Sequence, residues 1–241
     1  MSPRNAPVKS GPESISFADL KWNLPLFDDL FLSMQGQNVM LVDFYLRNLE
    51  HDLLRELVEI ERTPFPATLI VSALSQMWIF AVYELLRTWR QRIRDLKREA
   101  QRQGAPAAGQ SNLAGMYYEK QLGRLRKEPS YARKLDQALN GVDPLFRRME
   151  ALRMNLAKHE VAKMNGVRAL APGYGRIDGM NGSISWQIDL GNNCVDLVSR
   201  RSLADQLRSL VINGEVGSQP STRGSAKRKR SPGQRARKMP R

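Results

Sequence analysis

At 241 residues and 41% hydrophobic composition, the chain is long enough to bury a sizeable core, which excludes a fibrous or wholly disordered protein. Its formal charge of +14 points to a polyanionic partner. A single cysteine, Cys194, excludes an intramolecular disulfide and a cysteine-based zinc site, and fits a reducing compartment.

Residues 1–16 are rich in Pro, Ser and Gly with no repeating apolar positions, so a disordered N-terminus without a secretory signal is expected. A short helix is expected over 26–34. From 38 to 62, Val42, Leu46, Leu49, Leu53, Leu57 and Ile60 recur at steps of three and four, the period of a helix with one apolar stripe. Thr63-Pro64-Phe65-Pro66 stops it, because proline cannot continue the hydrogen-bond ladder. A second long helix follows over 67–102. Its first half is apolar nearly all round (Leu69, Ile70, Val71, Leu74, Met77, Trp78), which predicts burial on several sides. Ser72, Ser75 and Gln76 interrupt it and Glu84 and Arg87 follow, so a buried helix is expected rather than a membrane span. In its second half Arg87, Arg90, Arg92, Arg94, Lys97 and Arg98 surround Trp89, a pattern suited either to a solvated helix end or to an RNA-facing surface.

A loop is expected over 104–111 and a third helix over 113–127, broken by Pro129. A short helix over 130–139 should close at Asn140-Gly141. Asp143-Pro144 reads as an N-cap followed by proline in the first turn of a helix that runs to about residue 164. Beyond Gly166, glycines and Pro172 mark a loop. Alternation over 183–189 and 194–198, around Gly191-Asn192-Asn193, predicts a β-hairpin. A last helix is expected over 202–211. The expected fold is mainly α: a helical bundle with a long antiparallel helix pair, a small C-terminal β-hairpin plus helix, and disordered termini. Its units are a disordered segment 1–16, a bundle 17–166, a hairpin and terminal helix 167–212 packed on the bundle, and a basic tail 213–241.

The tail concentrates the charge. Residues 221–241 hold nine Lys and Arg and no acid, and without them 29 basic residues stand against 24 acidic. Lys227, Arg228, Lys229, Arg230, Arg235, Arg237 and Lys238 are the expected nucleic-acid contacts, gripping phosphates without sequence preference. Lys227–Arg230 also resembles a nuclear localisation signal, relevant if the source is eukaryotic; otherwise a cytoplasmic location is expected.

Only two histidines are present. His51, between Glu50 and Asp52, reads as a solvated helix position. His159 closes the segment Arg153-Met154-Asn155-Leu156-Ala157-Lys158-His159, and on a helix Arg153 and His159 flank Leu156 by about 60° on either side. Asn155 and His159, four apart, share a face. A histidine that titrates near neutrality can move a proton, and a guanidinium grips phosphate oxygens in a fork. Together they suit metal-independent cleavage of RNA, whose 2′-hydroxyl supplies the nucleophile. Gly173-Tyr174-Gly175 lacks the Lys-Ser/Thr of a phosphate loop, and no catalytic triad or His-rich metal box stands out, so neither metal nor cofactor is expected.

At these residues the chain resembles the HEPN family (higher eukaryote and prokaryote nucleotide-binding domains), helical bundles in which an Arg precedes a His by a few residues on a late helix. The family commonly places Asn directly after that Arg; here the position is Met154, with Asn155 next. The resemblance, over roughly residues 25–165, implies an endoribonuclease with Arg153 and His159 as catalytic pair and Asn155 in support. It also implies a homodimer, and a role in toxin–antitoxin or antiviral systems with an antitoxin or other protein as partner. RNA is the favoured nucleic acid and no membrane is expected. The alternative is a non-catalytic nucleic-acid-binding or protein-interaction module.

Overall fold

A computed structural model describes residues 23–102, 113–158, 174–189 and 195–211. The elements run α1 Leu30–Ile60, α2 Phe65–Gln101, α3 Leu113–Lys127, α4 Pro129–Lys158, β1 Arg176–Ile177, β2 Ile184–Asp189, β3 Val195–Ser199 and α5 Arg200–Val211. The protein is mainly helical, with a long antiparallel pair and a small C-terminal sheet, as the sequence predicts. The expected disordered termini lie outside the described residues.

Helix α1 starts where Asp29 caps it: one carboxylate oxygen accepts from the backbone N–H of Phe31 at 3.0 Å and of Leu32 at 3.1 Å. The short helix expected over 26–34 is therefore the first turn of α1. Leu24, Leu26 and Phe27 precede the cap as a buried turn.

Helix α2 is the central element, lying between α1 and α4. The Trp78 indole donates to the Val39 carbonyl of α1 at 3.0 Å, and Tyr83 stacks on Phe146 of α4 with ring centroids 5.1 Å apart. By length and composition α2 could cross a membrane, yet its core face buries Val71, Trp78, Ile79, Val82, Leu86, Trp89, Ile93 and Leu96. The expected burial on several sides does not hold: Leu69, Ile70 and Met77 lie on the opposite face and are more than half exposed.

The α1 stripe also differs from expectation. Leu32, Gly36, Val39, Asp43, Leu46, Glu50 and Leu53 are buried at alternating steps of four and three, with Met40 buried beside them, whereas Val42 and Ile60 are exposed. Reading hydrophobic residues as inside rotates the helix away from its true core face, because two of the core positions are carboxylates.

Helix α4 corrects a second expectation. The helices predicted over 130–139 and from 144 onward are one continuous helix, joined to α3 through Glu128 alone. Pro144 removes one N–H from the ladder, and Asn140-Gly141 does not end the helix. Burial carries it through: Tyr131, Leu135, Ala138, Val142, Leu145, Met149, Leu152 and Leu156 make an unbroken stripe at steps of four and three. Asp143 is no cap. Its carboxylate takes Arg90 of α2 at 2.7 Å and Arg147 at 2.6 Å. The expected continuation to residue 164 lies outside the described residues.

The hairpin is part of a three-stranded antiparallel sheet, ordered β1-β2-β3, with Trp186 opposite Val198. Its inner side chains Ile184, Trp186, Ile188 and Val198 join the core. The β1–β2 turn is built by Asp178, whose side chain accepts from the Met180 N–H at 2.9 Å, and by Gly182 at φ +72°.

Candidate functional site

Arg153 stands on α4 where it meets α2. Its guanidinium carbon lies 4.8 Å from the centre of the Tyr83 ring, and one terminal nitrogen is 4.0 Å from a Glu84 oxygen. The Tyr83–Phe146 stack is capped at its other end by Arg90, 3.9 Å over Phe146. Two cations thus sandwich two stacked rings, and the ring faces supply the attraction. The Arg153 side chain remains 34% exposed, and one terminal nitrogen donates to the Met154 sulfur at 3.8 Å. Burial raises the Tyr83 phenol above its ordinary pKa, and the nearby Glu150 carboxylate adds to this against the opposing charge of Arg153.

Asn155 points elsewhere. It is 5% exposed, and its amide donates to the Gln187 carbonyl of β2 at 3.3 Å. That contact ties α4 to the sheet. Arg153 and Asn155 are therefore on different sides of the helix, one toward α2 and one toward the sheet. His159, the third member of the set, lies outside the described residues, as do Lys227, Arg228, Lys229, Arg230, Arg235, Arg237 and Lys238. His51 is an exposed side chain with Asp52 3.8 Å away, a solvated position as expected.

The basic run on α2 is largely committed to structure. Trp89 is fully buried and donates to the Pro25 carbonyl at 2.7 Å, so it offers no ring to a base. Arg87 pairs with Glu84 at 2.6 Å, Arg90 with Asp143, Arg92 with Asp29 at 2.7 Å, Lys97 with Asp136, and Arg98 with Asp95 at 3.3 Å.

A buried charge network escaped the sequence reading. Arg200, 0% exposed, reaches Glu50 through two parallel hydrogen bonds of 2.6 Å and also binds Asp43. Arg201 donates to Glu50 at 2.7 Å. Arg47 and Arg208 each donate to the other Asp43 oxygen at 3.0 Å, and Arg47 reaches Asp205 at 2.5 Å. Burial alone would raise the Asp43 pKa, but the charges of Arg200, Arg47 and Arg208 hold it below the ordinary carboxylate value. The network fixes α5 and the sheet to α1. Its only hint in the sequence is a pair of acids at core spacing on α1 and the doublet Arg200-Arg201.

A cleft of about 200 Å³ opens beside the N-terminal turn, lined by Leu26, Asp29, Arg92, Leu96, Tyr117 and Tyr118. Among the described residues, no group of three or more His, Cys, Asp or Glu could hold a metal ion. Set beside known proteins, the chain matches no family model, no curated protein and no solved structure.

Proposed function

We propose that the chain is an RNA-binding helical protein acting in the cytoplasm as a HEPN-like, metal-independent endoribonuclease, in a toxin–antitoxin or antiviral setting. The supporting observation is Arg153: a half-buried guanidinium held on the Tyr83 ring near the end of α4, six positions before His159. A cation fixed by an aromatic face loses little further entropy when it takes a phosphate oxygen. In this reading His159 removes the proton from an RNA 2′-hydroxyl and that oxygen attacks phosphorus. A 2′,3′-cyclic phosphate forms and the 5′-oxygen leaves with the proton that His159 took, while Arg153 balances the charge gathered on the phosphoryl oxygens.

The homodimer belongs to the same proposal. Its support is the outer arc of α1, where Leu30, Phe31, Met34, Leu41, Val42 and Tyr45 are each more than 40% exposed. At 100° per residue they fall within an arc of roughly 120°, opposite the core face. No charged residue occurs between positions 30 and 42.

The test is incubation of the full chain with RNA and with DNA of the same sequence, in EDTA. The expected result is cleavage of RNA alone, with cyclic phosphate ends, lost in His159→Ala. Intact RNA under these conditions, or cleavage that survives His159→Ala, sinks the nuclease. Sedimentation of wild type against Leu41→Glu/Tyr45→Glu should show a dimer becoming a monomer. One observation favours the second reading, a non-catalytic module: Asn155 is buried and committed to the Gln187 carbonyl, so it supports the fold rather than a reacting group.

A further inference from the structure

We propose that the folded body carries its own polyanion-binding ridge, separate from the tail, where the end of α3 turns into the start of α4. The inference rests on the reading of the chain as a nucleic-acid-binding protein, and it names the contact surface and its ligand: the phosphodiester backbone.

The charge is local. The described residues hold 24 basic and 20 acidic side chains, whereas residues 113–134 alone hold six basic and two acidic. This short stretch accounts for the full excess of the described body. On α3, Lys120, Arg124 and Lys127 follow at steps of four and three and so share one face over about 10 Å of helix. Glu128 is the whole connection to α4, so Arg133 and Lys134 come little more than one helical turn later. The two helices touch at this corner: the Arg124 guanidinium carbon lies 4.2 Å from the centre of the Tyr131 ring, and Tyr131 donates to Gln121 at 2.8 Å.

The cations here are available. Lys120, Lys127, Arg133 and Lys134 are all exposed, and none has an ion-pair partner among the described residues. This separates the ridge from the α2 run, where acids take most of the charges. Helix stability explains only part of the pattern. Basic residues in the last turn of α3 interact well with its C-terminal pole. Arg133 and Lys134 sit instead near the positive N-terminal pole of α4, whose first turn carries no acid, so the helix dipole gives no reason for them. A cluster that repels itself in the free protein is relieved by a polyanion.

The experiment uses the full chain carrying His159→Ala, so that cleavage does not enter the readout. Binding of a fluorescein-labelled 20-nucleotide RNA, and of DNA of the same sequence, is followed by anisotropy from 50 to 200 mM salt. In the variant Lys120→Gln/Lys127→Gln/Arg133→Gln/Lys134→Gln, the slope of log affinity against log salt should shrink by about 2 to 3, at roughly 0.7 per lost contact on a single strand. A control removing four other exposed charges, Arg55→Gln/Arg62→Gln/Arg87→Gln/Arg147→Gln, should leave the slope nearly unchanged. Equal losses on RNA and DNA assign the ridge to the backbone itself, and a larger loss on RNA adds the 2′-hydroxyl to its contacts. If the ridge variant loses no more than the control, or only substitutions in the tail weaken binding, the ridge is overturned. Failure of wild-type protein to cleave RNA leaves the ridge standing, whereas wild type that binds neither strand overturns both readings. Thermal melts report folding, and Lys127→Gln/Lys134→Gln, with half the expected change, serves if the fourfold variant melts early.

Discussion

Replacing Glu50 with alanine should lower the unfolding free energy by about 3–5 kcal/mol, because it leaves the Arg200 guanidinium buried with half of its partners gone. Arg200 is 0% exposed and Glu50 takes two of its donors at 2.6 Å. Water cannot replace the carboxylate at that depth, and Asp43 is already shared with Arg47 and Arg208. Urea unfolding followed by circular dichroism measures the loss. The comparison is Arg55→Ala, which breaks an exposed pair with Asp52 of 3.2 Å; an exposed pair of this kind contributes about 0–1 kcal/mol. The double variant Glu50→Leu/Arg200→Met should recover much of the loss, since a well-packed apolar pair often equals a buried ion pair. A single variant no less stable than wild type would mean that the network is not what holds α5 to α1.

The same network sets an acid limit. Asp43 has a pKa held below the ordinary 3.8 in the folded protein, with burial opposing and Arg200, Arg47 and Arg208 prevailing. The unfolded chain therefore binds the proton more readily. The contribution of Asp43 is complete above the ordinary value and is lost as pH falls through the lower folded value. Stability curves of wild type and Asp43→Asn should converge in that acid range and diverge above it.

Gly182→Ala should cost about 2–4 kcal/mol, combining overpacking with strain at a positive φ. Gly182 sits at φ +72°, and a Cβ there would lie 1.9 Å from the Glu50 carbonyl oxygen and 2.8 Å from its carbon. Both are backbone atoms of α1, so no side-chain rotation relieves the contact. The β1–β2 turn would have to lift from α1, close to the acids that hold Arg200 and Arg201. Gly179→Ala in the same turn is the internal reference, since its Cβ would meet nothing within 4 Å. Thermal melts of the two variants should differ by several degrees, and equal melting temperatures would refute the close approach.

Much of the helical architecture was legible because proline and periodicity are local signals. Pro64 and Pro66 fall at the start of α2 and Pro129 at the start of α4, each after the preceding helix has stopped, and α3 runs over the residues expected. Errors came where local chemistry was outvoted. Pro144 and Asn140-Gly141 are strong breakers, yet the buried stripe from Tyr131 to Leu156 keeps α4 whole. Asp43 and Glu50 carry no apolar signal in a periodicity reading, because carboxylates are seldom buried unpaired, and the partners that let them be buried lie about 150 positions later.

For function, the sequence by itself determined the overall charge, the basic tail, and the six-residue spacing of Arg153 and His159. Only the tertiary structure decided which of these charges are free. It turned Asn155 into the core against the sheet, set Arg153 on Tyr83, and neutralised most of the α2 run with acids from α1's cap, α4 and α2 itself. It left the corner between α3 and α4 basic and exposed. Composition counts charges, but whether a charge meets a partner depends on contacts between distant segments, which neither composition nor periodicity records.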